Sequence, residues 1–205
     1  MGEADSPSAE HTISLVELSR AIAVDSPPPR MATRIVAIDG GGGAGKSTLA
    51  ALLGEALGHV PVVHTDDFAS WDNPLEWWPR LIEQVLEPLS KGLAPRYQRY
   101  DWDEERLAEW ITLDPPPRVL VLEGVSACRL AFEPYLSYRI WVETPRDLRL
   151  ARGLARDGED SSDLWDDWMA DEDAYAAREN PRGRADLVGS GESDLAGGLL
   201  TVLSR

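Results

Sequence analysis

A single cysteine, Cys128, stands among 205 residues, which excludes an internal disulfide and suits a reducing compartment. Basic residues are scarce beside acidic ones: 20 Lys and Arg against 36 Asp and Glu give a net charge of −16. Such a surface repels polyanions and argues against a nucleic-acid groove or an anionic membrane as the main partner. Any phosphate must then be bound locally, by backbone amides and a few placed cations. No apolar run reaches the length of a membrane span, and the acidic N-terminus carries no signal-peptide pattern. The expectation is a soluble, cytoplasmic protein. With 43% hydrophobic residues the chain can bury a core, and its length suits one domain with a two-sided sheet rather than two domains.

What is present centres on Gly40 to Thr48. Gly40, Gly45, Lys46 and Ser47 fit the spacing Gly, four residues, Gly, Lys, Ser/Thr, the pattern of a loop that wraps phosphates. The β-branched, apolar run Arg34-Ile35-Val36-Ala37-Ile38 before it reads as a buried parallel strand, and Ser47 to Leu53 after it has helical composition and spacing. Glycines at 40, 41, 42, 43 and 45, with the small Ala44 between, let successive N–H groups turn inward, and a helix N-terminus adds partial positive charge. Lys46 is placed to reach the β- and γ-phosphates of a nucleotide such as ATP, and the Ser47 hydroxyl to ligate Mg²⁺, with Thr48 closing the loop.

Along the rest of the chain, Met1 to Glu10 is small, polar and acidic and reads as a disordered tail. Thr12 to Val24 is expected to form a short helix that ends before Pro27-Pro28-Pro29, so that residues 1–30 form an N-terminal extension and 31–205 the main domain. Val60 to Val63 reads as a second strand delivering His64-Thr65-Asp66-Asp67-Phe68 at its C-terminal end, where open α/β sheets place ligands. Asp66 and Asp67 are candidates for a catalytic carboxylate and a magnesium or ribose contact, or else for turn and cap residues. An amphipathic helix is expected from about Pro79 to Leu89. Arg96 to Asp103 mixes cations, acids and rings, as in a pocket for a polar acceptor or a solvated loop with packed rings, and Glu104 to Trp110 reads as continuing helically.

Val119 to Gly124 describes a buried strand ending in a carboxylate, Glu123, beside the phosphate loop, where an acid acts on Mg²⁺ and its water. Tyr138 to Val142 reads as another strand, followed by a helix starting at Thr144-Pro145. Arg149, Arg152 and Arg156 share one face of that helix by their spacing, suited either to neutralising a transferring phosphoryl group or to pairing with neighbouring acids. Ser161 to Asn180 reads as an acidic helix with Leu164, Trp165, Trp168 and Tyr175 at core-compatible spacing. Ala185 to Val188 is a candidate last strand, and Leu199 to Leu203 an apolar closing segment.

Neither Asn-Lys-x-Asp, the guanine motif, nor Leu-Ser-Gly-Gly-Gln, the transporter ATPase signature, is present. The arrangement from Arg34 to Val188 resembles the uridine kinase, nicotinamide riboside kinase, phosphoribulokinase and pantothenate kinase family. The residues carrying the resemblance are Gly40 to Thr48, Thr65-Asp66-Asp67-Phe68, Tyr100-Asp101-Trp102-Asp103, Val121-Leu122-Glu123-Gly124, Arg152 to Asp157 and Ala185 to Val188. It implies a three-layer α/β/α P-loop nucleoside-triphosphate hydrolase fold with a mostly parallel five-stranded sheet and a helical lid around residues 149–165. The cofactors it implies are ATP and Mg²⁺. By the same resemblance Asp66 takes the proton of the acceptor hydroxyl, Glu123 sits near Mg²⁺, and Arg152 and Arg156 are lid arginines. Asp103, or Asp101 in a shifted alignment, holds an acceptor ribose, with Tyr100, Trp102 and Asp67 near it. Phe68 is followed by Ala69 where uridine kinases have Tyr. The expected activity is transfer of the ATP γ-phosphoryl to a hydroxyl of a small molecule, foremost a nucleoside. A nucleoside monophosphate, another metabolite or an antibiotic as acceptor, and a non-catalytic ATP-binding module, are the alternatives.

Overall fold

The computed structural model describes residues 11–24 and 26–205; the tail expected at Met1 to Glu10 lies outside the described residues. Alternation along the central strands shows why the fold has three layers. In β2 (Arg34–Asp39), Ile35 and Ala37 face one core cluster while Val36 and Ile38 face the other. In β6 (Val119–Glu123), Leu120 and Leu122 join the first cluster and Val121 the second. Strands apolar on both faces must be covered on both sides, and a parallel sheet linked by helices does this.

Among the described residues the main sheet has seven strands in the order β1-β9-β8-β7-β2-β6-β3. The five expected strands are its parallel part: β8 (Leu187–Ser190), β7 (Tyr138–Glu143), β2, β6 and β3 (Val62–His64). The other two, β9 (Leu199–Ser204) and β1 (His11–Ser14), extend it antiparallel. Five strands were expected, and the sheet is larger because two short segments pair at its edge.

The N-terminal segment is part of this structure. Thr12 and Ile13 lie in β1, and the helix begins later, as α1 (Leu15–Val24). Ser14 and Glu17 make the switch: the Glu17 N–H donates to Ser14 Oγ at 3.2 Å, and the Ser14 N–H donates to Glu17 at 3.1 Å. This is a capping box, which fixes a helix start. Leu15, Leu18 and Ile22 are buried in the same cluster as Val36 and Leu53, so residues 11–24 belong to the domain core rather than to a separate extension.

Two other segments differ from expectation. Glu104 to Trp110 is not helical: Arg106–Thr112 is strand β5, paired antiparallel with β4 (Arg96–Asp101) in a separate hairpin. Cross-strand partners override the local helical tendency, with Arg99 on Glu109 at 2.8 Å and Gln98 Nε2 donating to the Ala108 carbonyl at 2.9 Å. The helix expected at Pro79 to Leu89 is present as α3 (Trp78–Leu81), a π turn (Ile82–Leu86) and α4 (Glu87–Ser90). Pro88 has no N–H to donate to the carbonyl four residues back, and the helix widens just before it.

Candidate active site

Strand register sets the site. Ile38 of β2 and His64 of β3 both pair with Glu123 of β6, so the phosphate loop, His64 and Glu123 leave the sheet at one carboxyl edge. β2 and β6 are neighbours whose connections leave in opposite directions, β2 on to β3 at one edge and β6 back over β2 to β7, the point where open sheets form a ligand crevice. From there the loop runs into α2 (Lys46–Ala56). Gly43 has φ of +75°, and a Cβ there would run into the Arg149 carbonyl. At Gly40, φ is +147° and a Cβ would sit 2.6 Å from the Val142 carbonyl oxygen. The loop thus needs glycine for its own curvature and for close packing on β7 and the following helix. Lys46 is nearly buried, and its Nζ donates to the Gly41 carbonyl at 2.9 Å, folding the ammonium back over the loop.

A cleft of about 730 Å³ opens over this loop, lined by residues 42–48, by Asp66, Glu123, Arg152 and Arg156, and by Trp71, Trp102, Trp165 and Trp168. On its floor the Ser47 hydroxyl donates to Glu123 Oε1 at 3.1 Å, and His64 Nδ1 donates to Glu123 Oε2 at 2.7 Å. Burial pushes the Glu123 carboxyl up, but the His64 hydrogen bond, the Lys46 charge and the Ser47 hydroxyl outweigh it and hold the group below the usual carboxylate range. His64 is raised by its bond to Glu123, against burial. Asp66 lines the cleft and is open to its solvent, with protein packed around it on the other sides. That loss of hydration raises it, with Lys46 and Arg156 pulling the other way. Asp67 is also raised by burial, is opposed by His64 and by the Tyr97 hydroxyl that bonds to it, and lies outside the cleft lining.

The arginine-bearing helix is α5 (Arg146–Asp157). Arg152 donates to the carbonyls of Gly43 and Gly191, both at 3.2 Å, which fastens the helix to the loop. Arg156 pairs with Asp157 at 2.7 Å and lies 5.7 Å from the Trp165 ring centroid. Arg149 pairs with Glu172 at 2.9 Å. Its spacing put Arg149 on the same face as the other two, yet its partner is on α6 (Ser162–Glu179), the helix packed across α5.

Of the residues singled out for an acceptor, Trp102 lines the cleft, and its Nε1 donates to the Asp66 carbonyl at 3.1 Å. Tyr100 is buried and meets Trp102 edge-on at 5.3 Å. Asp101 pairs with Arg99 and accepts the N–H groups of Asp103 and Glu104, closing the β4–β5 turn, while Asp103 is exposed. Neither of these acids lines the cleft. The cleft is instead walled by rings near Asp66: Trp71 stacks on Trp168 at 5.8 Å and meets Trp102 edge-on at 5.2 Å.

Three residues of this region had not been assigned a role from sequence. Asp39, fully buried, accepts from Gly40 N at 2.7 Å, from Ser126 N and Cys128 N at 2.9 Å each, and from the Tyr175 hydroxyl at 2.7 Å. It ties the loop to the segment after β6 and to α6. Glu172 and Tyr175 fall with Trp165 and Trp168 on one stripe of α6, spaced by three, four and three. An acid inside an otherwise aromatic stripe was the available signal.

A strand, a glycine loop and a helix N-terminus at the carboxyl edge of a parallel sheet, with Lys46, Ser47 and Glu123 converging there, define a phosphate-loop nucleotide-binding fold. The profile of the Phosphoribulokinase / Uridine kinase family matches residues 76–182, slightly more than half of the chain, and the chain belongs to that family. A uridine kinase of Staphylococcus aureus (strain JH9) is 28% identical over 144 residues, which are 62% of this chain and 69% of that protein. Among solved structures, one described as a possible uridine kinase from Bacillus stearothermophilus superposes with a TM-score of 0.61 at 21% identity, covering 85% of this chain and 96% of that one. A protein described as a fructose transport system kinase from Silicibacter sp. TM1040 gives 0.56 at 22% identity, over 81% and 88%. These two likenesses concern the fold. No helix among the described residues is long and apolar enough to cross a membrane.

Proposed function

We propose that this chain transfers the γ-phosphoryl group of ATP to a hydroxyl of a nucleoside-like small molecule, with Asp66 as the general base. The observation that carries the reading is the position of Asp66. It lies in one continuous cleft with Lys46, Ser47 and Glu123 on one side and the Trp71, Trp102 and Trp168 wall on the other. An acceptor on the rings would present its hydroxyl to Asp66 and to the end of the phosphate loop together. Positioning and charge neutralisation are most of what phosphoryl transfer requires of a protein.

The residues fit the groups the family implies. The loop's curvature leaves no room for side chains at Gly40 and Gly43, which suits a loop that meets anionic oxygens with its backbone, and its Gly42 N–H already holds a carboxylate oxygen. Among the described residues no set of three or more His, Cys, Asp or Glu side chains forms a metal cage. A hydroxyl joined to one carboxylate, Ser47 with Glu123, is the kind of site Mg²⁺ uses when phosphates and water complete its shell. Bound Mg²⁺ supplies charge neutralisation on the phosphates. Lys46, Arg152 and Arg156 add their charges from the protein side, and Asp66 accepts the hydroxyl proton. The cleft's lining supports a neutral acceptor over a monophosphate: among the described residues its cations are Lys46, Arg152 and Arg156, all on the phosphate-loop or α5 side. Arg96 and Arg99 lie on the hairpin, on Trp110 and on Glu109 and Asp101.

The test is ADP release from ATP and Mg²⁺ with nucleosides, nucleoside monophosphates, vitamins and sugars, against a control without acceptor. Stimulation by nucleosides well above that control is the expected result. Stimulation by sugars alone moves the acceptor class, and none at all with ATP still bound removes Asp66 from its role.

A further inference from the structure

Glu172 reaches from α6 into the phosphate loop itself. Its Oε1 accepts the Gly42 N–H at 2.8 Å, and its Oε2 accepts from Arg149 Nη1 at 2.9 Å. Both side chains are close to nine-tenths buried. Arg149 fills the space that a Cβ on Gly41 would occupy, so its guanidinium lies directly on the loop. A loop built to give its N–H groups to phosphate oxygens therefore already gives one to a carboxylate, and a cation lying on it is already neutralised by that same carboxylate.

Gly42 is at the acceptor-facing end of the loop. A Cβ there would contact the Trp165 ring at 3.0 Å and Glu172 at 3.1 Å, and Trp165 meets Trp168, the ring stacked on Trp71. The terminal phosphoryl of a bound nucleotide must lie on this side to reach a hydroxyl held between those rings and Asp66. Two anions cannot share one N–H and one guanidinium without strong repulsion.

We infer that Glu172 is a carboxylate counter-ion standing in for the terminal phosphoryl, and that nucleotide binding displaces it and passes Arg149 from Glu172 to that phosphoryl. This rests on the reading of the loop as an ATP site and adds two residues to it: Arg149 as a further cation on the transferring group and Glu172 as its partner when no triphosphate is bound. Glu172 shares its stripe of α6 with Trp165 and Trp168, so the carboxylate that gives way to the triphosphate and two of the rings of the acceptor wall belong to one helix.

The experiment is calorimetric titration of ATP and ADP into the full chain and its variants. Glu172→Gln keeps an acceptor for the Gly42 N–H but removes the charge, and should bind ATP roughly tenfold tighter, with a smaller gain for ADP. Arg149→Ala should weaken ATP by a similar factor and more than it weakens ADP. Should Glu172→Gln not fold, Glu172→Asp, whose charge is drawn back from the amide, should shift ATP affinity in the same direction by less. Unchanged or weaker ATP binding in the Glu172 variants overturns the inference while leaving the ATP site standing. Failure of the wild-type chain to bind ATP overturns the site reading, and this inference with it.

Discussion

The Tyr175 hydroxyl donates to Asp39 Oδ2 at 2.7 Å across 136 positions of sequence, with both groups buried. Asp39 closes β2 immediately before the phosphate loop, and Tyr175 lies on the α6 stripe with Trp165, Trp168 and Glu172. One hydrogen bond thus joins the loop's root to the helix that carries Trp165 and Trp168 of the cleft's aromatic wall. Burial pushes the Asp39 carboxyl up, and the donors from Tyr175, Cys128 and Gly40 oppose this. Tyr175→Phe removes one donor and leaves the ring. The expected cost is about 1.5–3 kcal/mol, the range for a hydrogen bond to a charged group, read as a fall of roughly 3–12 °C in thermal unfolding. An unchanged Tm would show that the remaining N–H donors suffice.

Lys46→Ala should abolish transfer, because it removes the one cation rooted in the loop helix that can meet the phosphates. Asp66→Asn is nearly isosteric and leaves the backbone carbonyl that accepts from Trp102 in place, but it removes the base. Turnover should fall roughly a hundredfold or more, with ATP affinity nearly unchanged in a titration. Full turnover in Asp66→Asn would reassign the base, and Asp67, already engaged by Tyr97, would be the next candidate.

The electrostatics of Asp66 give a pH prediction. Lost hydration raises its pKa above the ordinary carboxylate value, so the base form fills later as pH rises. The acid limb of kcat/KM should therefore lie above pH 4 or so, and Asp66→Asn should erase it. A limb at the ordinary carboxylate value would contradict a desolvated base.

His64 and Glu123 make a second pH signature, in stability. The His64 pKa is raised on folding, so its contribution is complete below 6.5 and is lost as pH rises through the raised value. The Glu123 pKa is lowered, so its contribution is present above 4.5 and is lost as pH falls through the lowered value. The pair is therefore most favourable between those limits. His64 is half exposed, which keeps the effect small. His64→Gln should flatten the decline of Tm above pH 6.5 and also shrink the acid-side loss, because the His64 hydrogen bond is the largest contribution that lowers Glu123. An unaltered slope would place the titration elsewhere.

The loop and the strand ends were legible because their signals are local. Gly40 to Ser47 carries its own spacing, and Glu123 follows an uninterrupted apolar strand. The aromatic wall was legible in part: Trp102 was visible as a ring near the acids, whereas Trp165 and Trp168 read as core, since helical spacing does not say which side of a buried face is open. The β4–β5 hairpin was misread because Glu104 to Trp110 has helical composition and only its pairing with Arg99 and Gln98 makes it a strand. The edge strands β1 and β9 pair termini that lie far apart in sequence, although the Ser14 to Glu17 capping box marked where α1 begins. Asp39 and Glu172 show the remaining limit. Beyond the adjacent Gly40, the Asp39 partners lie 87 to 136 positions away, and Glu172 reaches Gly42 across 130 and Arg149 across 23, so no short window of sequence contains them.

The aromatic wall yields the prediction that separates acceptor binding from the phosphate chemistry. Trp71 is 44% exposed, yet it stacks on Trp168 with an interplanar angle of 18° and meets Trp102 at 83°. It is the ring that both helix α6 and the hairpin lean on. Trp71→Ala removes a stacking surface without touching the loop, Ser47 or Glu123. Acceptor KM should rise about tenfold, in keeping with the loss of an aromatic contact and its buried area, while ATP affinity and the rate without acceptor stay as they were. Trp168→Ala should act in the same direction, and the double variant should lose less than the product of the two single effects, because each ring holds the other. If Trp71→Ala changed ATP affinity instead of acceptor KM, the rings would belong to the nucleotide side of the cleft, and the acceptor would have to be sought elsewhere along its lining, such as Leu164 and Asp171.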